Sequence, residues 1–137
     1  MSNSLSRRAF LSYAAALGVV VVIPDRRLFA TPAPNHPAPR PGITGANVLT
    51  KEQLAKTPDV IPVFDGIRQI PEIADGIRCN CGCTNEPELR SLLSCFEGKG
   101  MARDCVICQG QAKLAIRLHK EGKTLDQIRT AIDAKFA

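Results

Sequence analysis

The chain shows its most regular hydrophobic spacing near its C-terminal end. Leu125, Ile128, Ile132 and Phe136 recur in three- and four-residue steps among polar residues, the spacing of one buried helix face. Thr124 and Gln127 stand where a capping box would start that helix. A preceding helix is predicted from about Asp104 to Glu121, with Ile107, Leu114, Ala115 and Leu118 on one face and Gly122 as its stop. The tight glycine turn between them makes the two helices an antiparallel pair.

A third stripe, Leu89, Leu92, Leu93 and Phe96, follows Asn85-Glu86-Pro87-Glu88, which offers a cap, a first-turn proline and acidic residues for the positive end of the dipole. It predicts a short amphipathic helix ending near Gly98 and carrying Cys95. Upstream, TKEQLAK and IPEIADG suggest two short helical turns, separated by the proline-bounded TPDVIPVFDG. The alternation of a half-buried strand is missing throughout. The expected class is therefore all-α: a small, loop-rich helical domain that ends in an antiparallel helix pair and carries a cysteine-rich loop.

The first thirty residues read as an address. Ser6-Arg7-Arg8-Ala9-Phe10-Leu11 resembles a twin-arginine export signal, and the apolar run from Ala9 to Ile23 is short and rich in Ala and Gly. Cleavage after Ala30 is expected, with delivery to the periplasm or another extracytoplasmic space and no stable membrane span afterwards. No cysteine follows that point closely enough for a lipid anchor. Residues 31–46, with five prolines between Thr31 and Gly42, form a Pro-rich linker, in which His36 is expected to be solvated. Residues 47–137 form the domain.

Charge adds little once the signal is set aside. Four of the eighteen Lys and Arg residues and one of the thirteen Asp and Glu residues lie in the first thirty, so the remainder carries +2. No nucleic-acid footprint is implied. A domain this short, without Trp and with three Phe, is expected to need a staple, either disulfides or a metal.

All six cysteines fall within thirty residues, at Cys79, Cys81, Cys83, Cys95, Cys105 and Cys108. As disulfides, they would join the CNCGC loop to Cys95, Cys105 and Cys108, because bridges inside the loop close very small rings. As thiolates, the i, i+2, i+4 set of the loop faces one way, and Cys105 and Cys108 add sulfur at a helix start, where the dipole favours the thiolate. Such a sulfur-only set suits Cu(I), Zn(II) or an iron–sulfur cluster. As a redox motif, Cys105-Val106-Ile107-Cys108 is a dithiol at a helix start, although no βαβ pattern surrounds it.

Other residues carry less. His119 lies eleven positions beyond Cys108, about 16 Å further along a continuous helix, so it cannot ligate the same ion. Met101 offers a thioether four residues before Cys105. Lys113, Arg117 and Lys120 form a solvated helix face. Neither a Ser-His-Asp set nor a phosphate-cradling glycine loop is present, so hydrolytic and phosphotransfer chemistry is unsupported.

GIRCNCGC, SLLSCF and DCVICQGQAKLAIRLHKEGKTLDQIRTAID together resemble the exported family named for its PCYCGC motif. The resemblance covers roughly Ile70 to Phe136 and places the family's cysteines on Cys79, Cys81, Cys83, Cys95, Cys105 and Cys108, with Arg78 and Asn80 where the motif has Pro and Tyr. Many relatives carry a His-Ala pair near the place of Met101-Ala102, and many look like lipoproteins. The layout is also similar to helical thiol-reductant proteins of cytochrome c maturation. The reading that uses most of these residues is an exported soft-metal-binding protein, with Cu(I) favoured and Zn(II) or Fe–S as alternatives. All six cysteines are its ligands, it serves storage, delivery or sensing, and an acceptor metalloprotein is its partner. The alternatives are a thiol–disulfide protein with Cys105 and Cys108 as redox pair, and a disulfide-stapled interaction domain.

Overall fold

A computed structural model of the chain describes residues 35–82, 85–86 and 88–137. The export signal expected at residues 1–30 and Cys83 lie outside the described residues. Among the described residues four α-helices follow one another: α1 Ile61–Gln69, α2 Pro71–Asp75, α3 Val106–Lys120 and α4 Leu125–Phe136. Among the described residues the nearest thing to a strand is an isolated antiparallel bridge between Val48 and Glu97. The all-α class holds.

The C-terminal pair forms as its sequence dictates. Gly122 takes φ +77, a left-handed conformation that suits residues without a Cβ, and ends α3. Thr124 Oγ1 accepts from the Gln127 amide while the Gln127 side chain accepts from the Thr124 amide, so both halves of the capping box are made. Ile128 and Ile132 are buried between the helices, and Leu125 and Phe136 are partly buried at the ends of the stripe. The buried face of α3, however, runs through Cys108, Gln111, Ala112, Leu114 and Ala115. Ile107 lies off that face and is 40% exposed.

The proline-bounded segment upstream is helical. Residues Pro58–Val60 form a 3-10 turn that leads directly into α1, with Pro58 and Pro62 in first-turn positions, where a missing N–H costs nothing. This helix crosses α3 closely: a Cβ on Gly66 would stand 2.5 Å from Ile116 Cδ1. Its inner face supplies Phe64 and Ile67 to the core, and Phe64 meets Phe96 edge-on with ring centroids 4.7 Å apart, worth about 1 kcal/mol beyond burial. TKEQLAK forms hydrogen-bonded turns over residues 51–56, and IPEIADG supplies α2.

Among the described residues from Asn85 to Gly98 the predicted α-helix does not form, and a 3-10 turn spans Leu93–Phe96. Its apolar residues Leu92, Leu93 and Phe96 are buried as the spacing required. The backbone is drawn elsewhere: the Leu92 amide donates to Ile77 O at 2.7 Å, and Arg90 and Ser91 turn their side chains to Asp75. Asp75 is fully buried at the end of α2. Its carboxylate accepts from the Arg40 backbone amide at 2.8 Å, the Arg40 guanidinium at 2.9 and 3.2 Å, Arg90 at 2.8 Å and Ser91 Oγ at 3.1 Å. Burial alone would raise its pKa, but the hydrogen bonds from Arg40, Arg90 and Ser91 outweigh it and hold the carboxyl at about 2.

The proline-rich stretch is tied down where it is described. His36, whose side chain is 5% exposed, sits 2.9 Å from Asp133 of α4, and its Nδ1 accepts from the Arg78 backbone amide at 3.0 Å. Arg129 and Arg90 donate to the carbonyls of Pro37 and Ala38. The expectation of a solvated His36 is corrected: its ring bridges two elements, with Nδ1 as acceptor and Nε2–H as donor to Asp133.

Candidate metal centre

Four sulfurs converge from three parts of the chain. Cys79 and Cys81 lie on the segment after α2, Cys95 on the 3-10 turn, and Cys108 in the first turn of α3. Their Sγ atoms all lie within 4.8 Å of one another, a set able to hold a metal ion. Cys79 and Cys81 are separated by 3.2 Å, Cys79 and Cys108 by 3.4 Å, and Cys81 and Cys108 by 3.5 Å. Cys79, Cys95 and Cys108 are buried; Cys81 is half-buried.

Each sulfur has a positional cause. Cys95 is carried by the turn that Ser91 fixes to Asp75, and its thiol points back to Ser91 O at 3.8 Å. Cys108 shares the buried face of α3 with Gln111, three residues on. Gln111 is fully buried and clamps the loop twice: Oε1 accepts from the Asn80 amide at 3.3 Å, and Nε2 donates to Cys79 Sγ at 3.6 Å. Gln111 is a site residue that the cysteine spacing alone does not reveal. Its signal is a polar residue at i+3 from Cys108 on an otherwise apolar face.

The thiols share their protons unequally. Hydrogen bonds from Cys108 and Cys95, helped by the Cys81 backbone amide and Gln111, pull Cys79 down to about 3 against the effect of burial. Bonding to Cys79 and Cys95, followed by burial, raises Cys108. Cys95 is pulled down by Cys108 but pushed further up, to about 12, by Cys79, burial and the neighbouring charges. One negative charge is accommodated readily, and each further one is opposed by the first.

Two sequence expectations need adjustment. Cys105 stands outside the four-sulfur group: it is the N-cap of α3, half-exposed, and its Sγ accepts from the Cys108 amide at 3.4 Å. Cys95, Cys105 and Cys108 carry free thiols, whereas Cys81 is disulfide-bonded. The expected bridges from the loop to Cys95, Cys105 or Cys108 are therefore not formed, since these three sulfurs approach the loop as thiols. His119 is exposed on α3, eleven residues from Cys108, and Met101 is 38% exposed. None of the helices among the described residues is long and apolar enough to cross a membrane.

Neither the curated proteins nor the solved structures contain a match to this chain. The family described as "Protein of unknown function with PCYCGC motif" matches residues 42–137, a span that includes every cysteine and all four helices. The motif falls on Cys79, Cys81 and Cys83, with Arg78 and Asn80 at its Pro and Tyr positions. The chain belongs to the PCYCGC-motif family.

Proposed function

We propose that this protein binds a soft metal ion, with Cu(I) favoured, and stores, delivers or senses it outside the cytoplasm after export through the twin-arginine signal of residues 1–30. The supporting observation is the convergence of Cys79, Cys81, Cys95 and Cys108 within 4.8 Å. A tetrahedral zinc with Zn–S bonds of about 2.3 Å spaces its sulfurs about 3.8 Å apart, so the Cys79, Cys81 and Cys108 sulfurs, now 3.2–3.5 Å apart, would separate by a few tenths of an ångström to admit one ion. It is too tight for the bridging sulfides of an iron–sulfur cluster. The preference for copper comes from the donor set: Cys95 and Cys108 are free, buried thiols beside the buried Cys79 sulfur, and Cu(I) is satisfied by two or three soft sulfurs, whereas structural zinc takes four ligands. Zinc would need Cys81 as a thiolate as well.

Anaerobic titration with Cu(I) and Zn(II), against a chromophoric competitor, tests this reading. One tightly held Cu(I) per chain is expected, with stoichiometric zinc only after the Cys81 disulfide is reduced. Failure of the fully reduced, folded protein to retain either ion would refute it.

One observation favours thiol–disulfide exchange as a second reading. Cys79 Sγ lies 3.2 Å from the disulfide-bonded sulfur of Cys81, so attacker and target are already side by side. That pairing differs from the Cys105/Cys108 couple that the sequence suggested. Turnover of a model disulfide such as insulin, abolished by Cys79→Ser, is the outcome that would place this reading first.

A further inference from the structure

The buried cage has to exchange its ion with the outside, and the sulfurs differ sharply in access. Cys79, Cys95 and Cys108 are 1%, 0% and 0% exposed. Cys105 is partly exposed, as Cys81 is, but it carries a free thiol where Cys81 is disulfide-bonded. It is also joined to the cage, because its Sγ accepts the backbone amide of Cys108, one of the cage residues, at 3.4 Å.

The surroundings of Cys105 are unusual in the molecule. The exposed large hydrophobic side chains among the described residues are Met101 at 38%, Val106 at 78% and Ile107 at 40%, and all three lie within four residues of Cys105. A helix-start residue that is mostly solvent-exposed has no folding reason to be valine, a poorer helix former than most polar alternatives. The rim supplies a low-dielectric approach to the thiol, with one further soft donor in the Met101 thioether.

We infer that Cys105 is the transfer ligand of the site: the sulfur through which a thiolate-carried soft metal ion enters and leaves the cage, without being part of the resting coordination set. This rests on the metal-binding reading proposed above. Each step is a ligand exchange with no change in oxidation state. A metal–sulfur bond to Cys105 forms as the bond to the carrier's thiolate breaks, and the carrier sulfur leaves with the proton that the Cys105 thiol gives up. The ion then passes to the cage as a bond to Cys108 or Cys79 replaces the bond to Cys105. Release reverses these steps.

Cys105→Ser tests the inference cleanly, because serine is a favoured N-cap and keeps an oxygen where the Cys108 amide donates. The wild type and the variant, each loaded anaerobically with one equivalent of Cu(I), are mixed with excess bathocuproine disulfonate, and the coloured chelate is followed in time. Uptake from Cu(I)–glutathione is followed separately. The expected result is that release and uptake both slow by tenfold or more while the equilibrium affinity stays within about twofold. Unchanged rates would overturn the inference. A parallel fall in affinity would do so too, by making Cys105 a resident ligand. Cys108→Ser is the contrast, with affinity itself expected to collapse. Failure of the reduced wild type to bind Cu(I) at all would instead remove the metal-binding reading, an outcome separate from either of these.

Discussion

Two buried polar centres lie close together in the sequence, and they solve opposite problems. Asp75 is a buried anion whose donors, Arg40, Arg90 and Ser91, are all in place. In the second centre Cys79, Cys95 and Cys108 are like acids competing for a single charge beside the disulfide-bonded Cys81, with Gln111 as their neutral donor. The first is complete as folded. The second collects donor atoms beyond what the fold consumes, and a bound cation is what would let further sulfurs ionise. A buried polar group with its partners present is architecture, whereas buried groups of one kind facing each other mark a site for something else.

That contrast can be broken at either end. The largest effect is expected from Asp75→Asn, which leaves two arginines without their shared anion. A loss of about 3 kcal/mol in denaturant unfolding is expected, because the buried carboxylate's charged hydrogen bonds are lost while the arginines left behind are partly exposed. Any metal affinity measured on the remaining folded protein should be unchanged. Cys108→Ser should do the reverse, lowering Cu(I) affinity by at least about a hundredfold in competition titrations, with apo stability shifting by about 1 kcal/mol or less.

Acid separates the centres more gently. Asp75 has its pKa lowered to about 2 from 3.8, so its contribution is complete above pH 4 and is lost as pH falls from 3.8 through 2. The loss is about 2 kcal/mol, visible as a falling midpoint in urea melts over that window and absent in Asp75→Asn. The smallest effect should come from Gln111→Leu, which removes the donor to Cys79 and the acceptor for the Asn80 amide. About a tenfold loss of metal affinity is expected, with the helical circular dichroism unchanged.

Much of this arrangement could be read from the sequence, for reasons that differ along the chain. Helix α4 was legible because its determinants are local: a capping box, a regular stripe and the Gly122 stop that precedes them. The cysteine cluster was legible as a cluster, and its composition excluded hard metals. Which sulfurs meet was not legible, because Cys95 reaches the group through Ser91 and Asp75, contacts that no spacing rule encodes. Helix α1 was hidden by Pro58 and Pro62, read as boundaries when they occupy first-turn positions. The stripe from Leu89 to Phe96 was real as burial and misleading as helix. Four apolar residues at that spacing can be buried by a turn pinned from outside, and the pins are long-range. Ile107 shows the same limit on a smaller scale, since a helix starting at Val106 turns Cys108 and Gln111 inward.

The bridge made by His36 has a consequence for where the working unit begins. The family match starts at residue 42, after that histidine, yet the imidazole holds the amide of Arg78, the residue immediately before Cys79, and anchors it to α4 through Asp133. A fragment cut at residue 42 would retain every cysteine and all four helices while releasing this moorage, together with the grip of Arg129 on Pro37 and of Arg40 on Asp75. The sulfur loop would then sample more conformations before closing on an ion. Two proteins with identical ligands would differ in affinity through nothing but the slack in a strand of chain that carries no ligand.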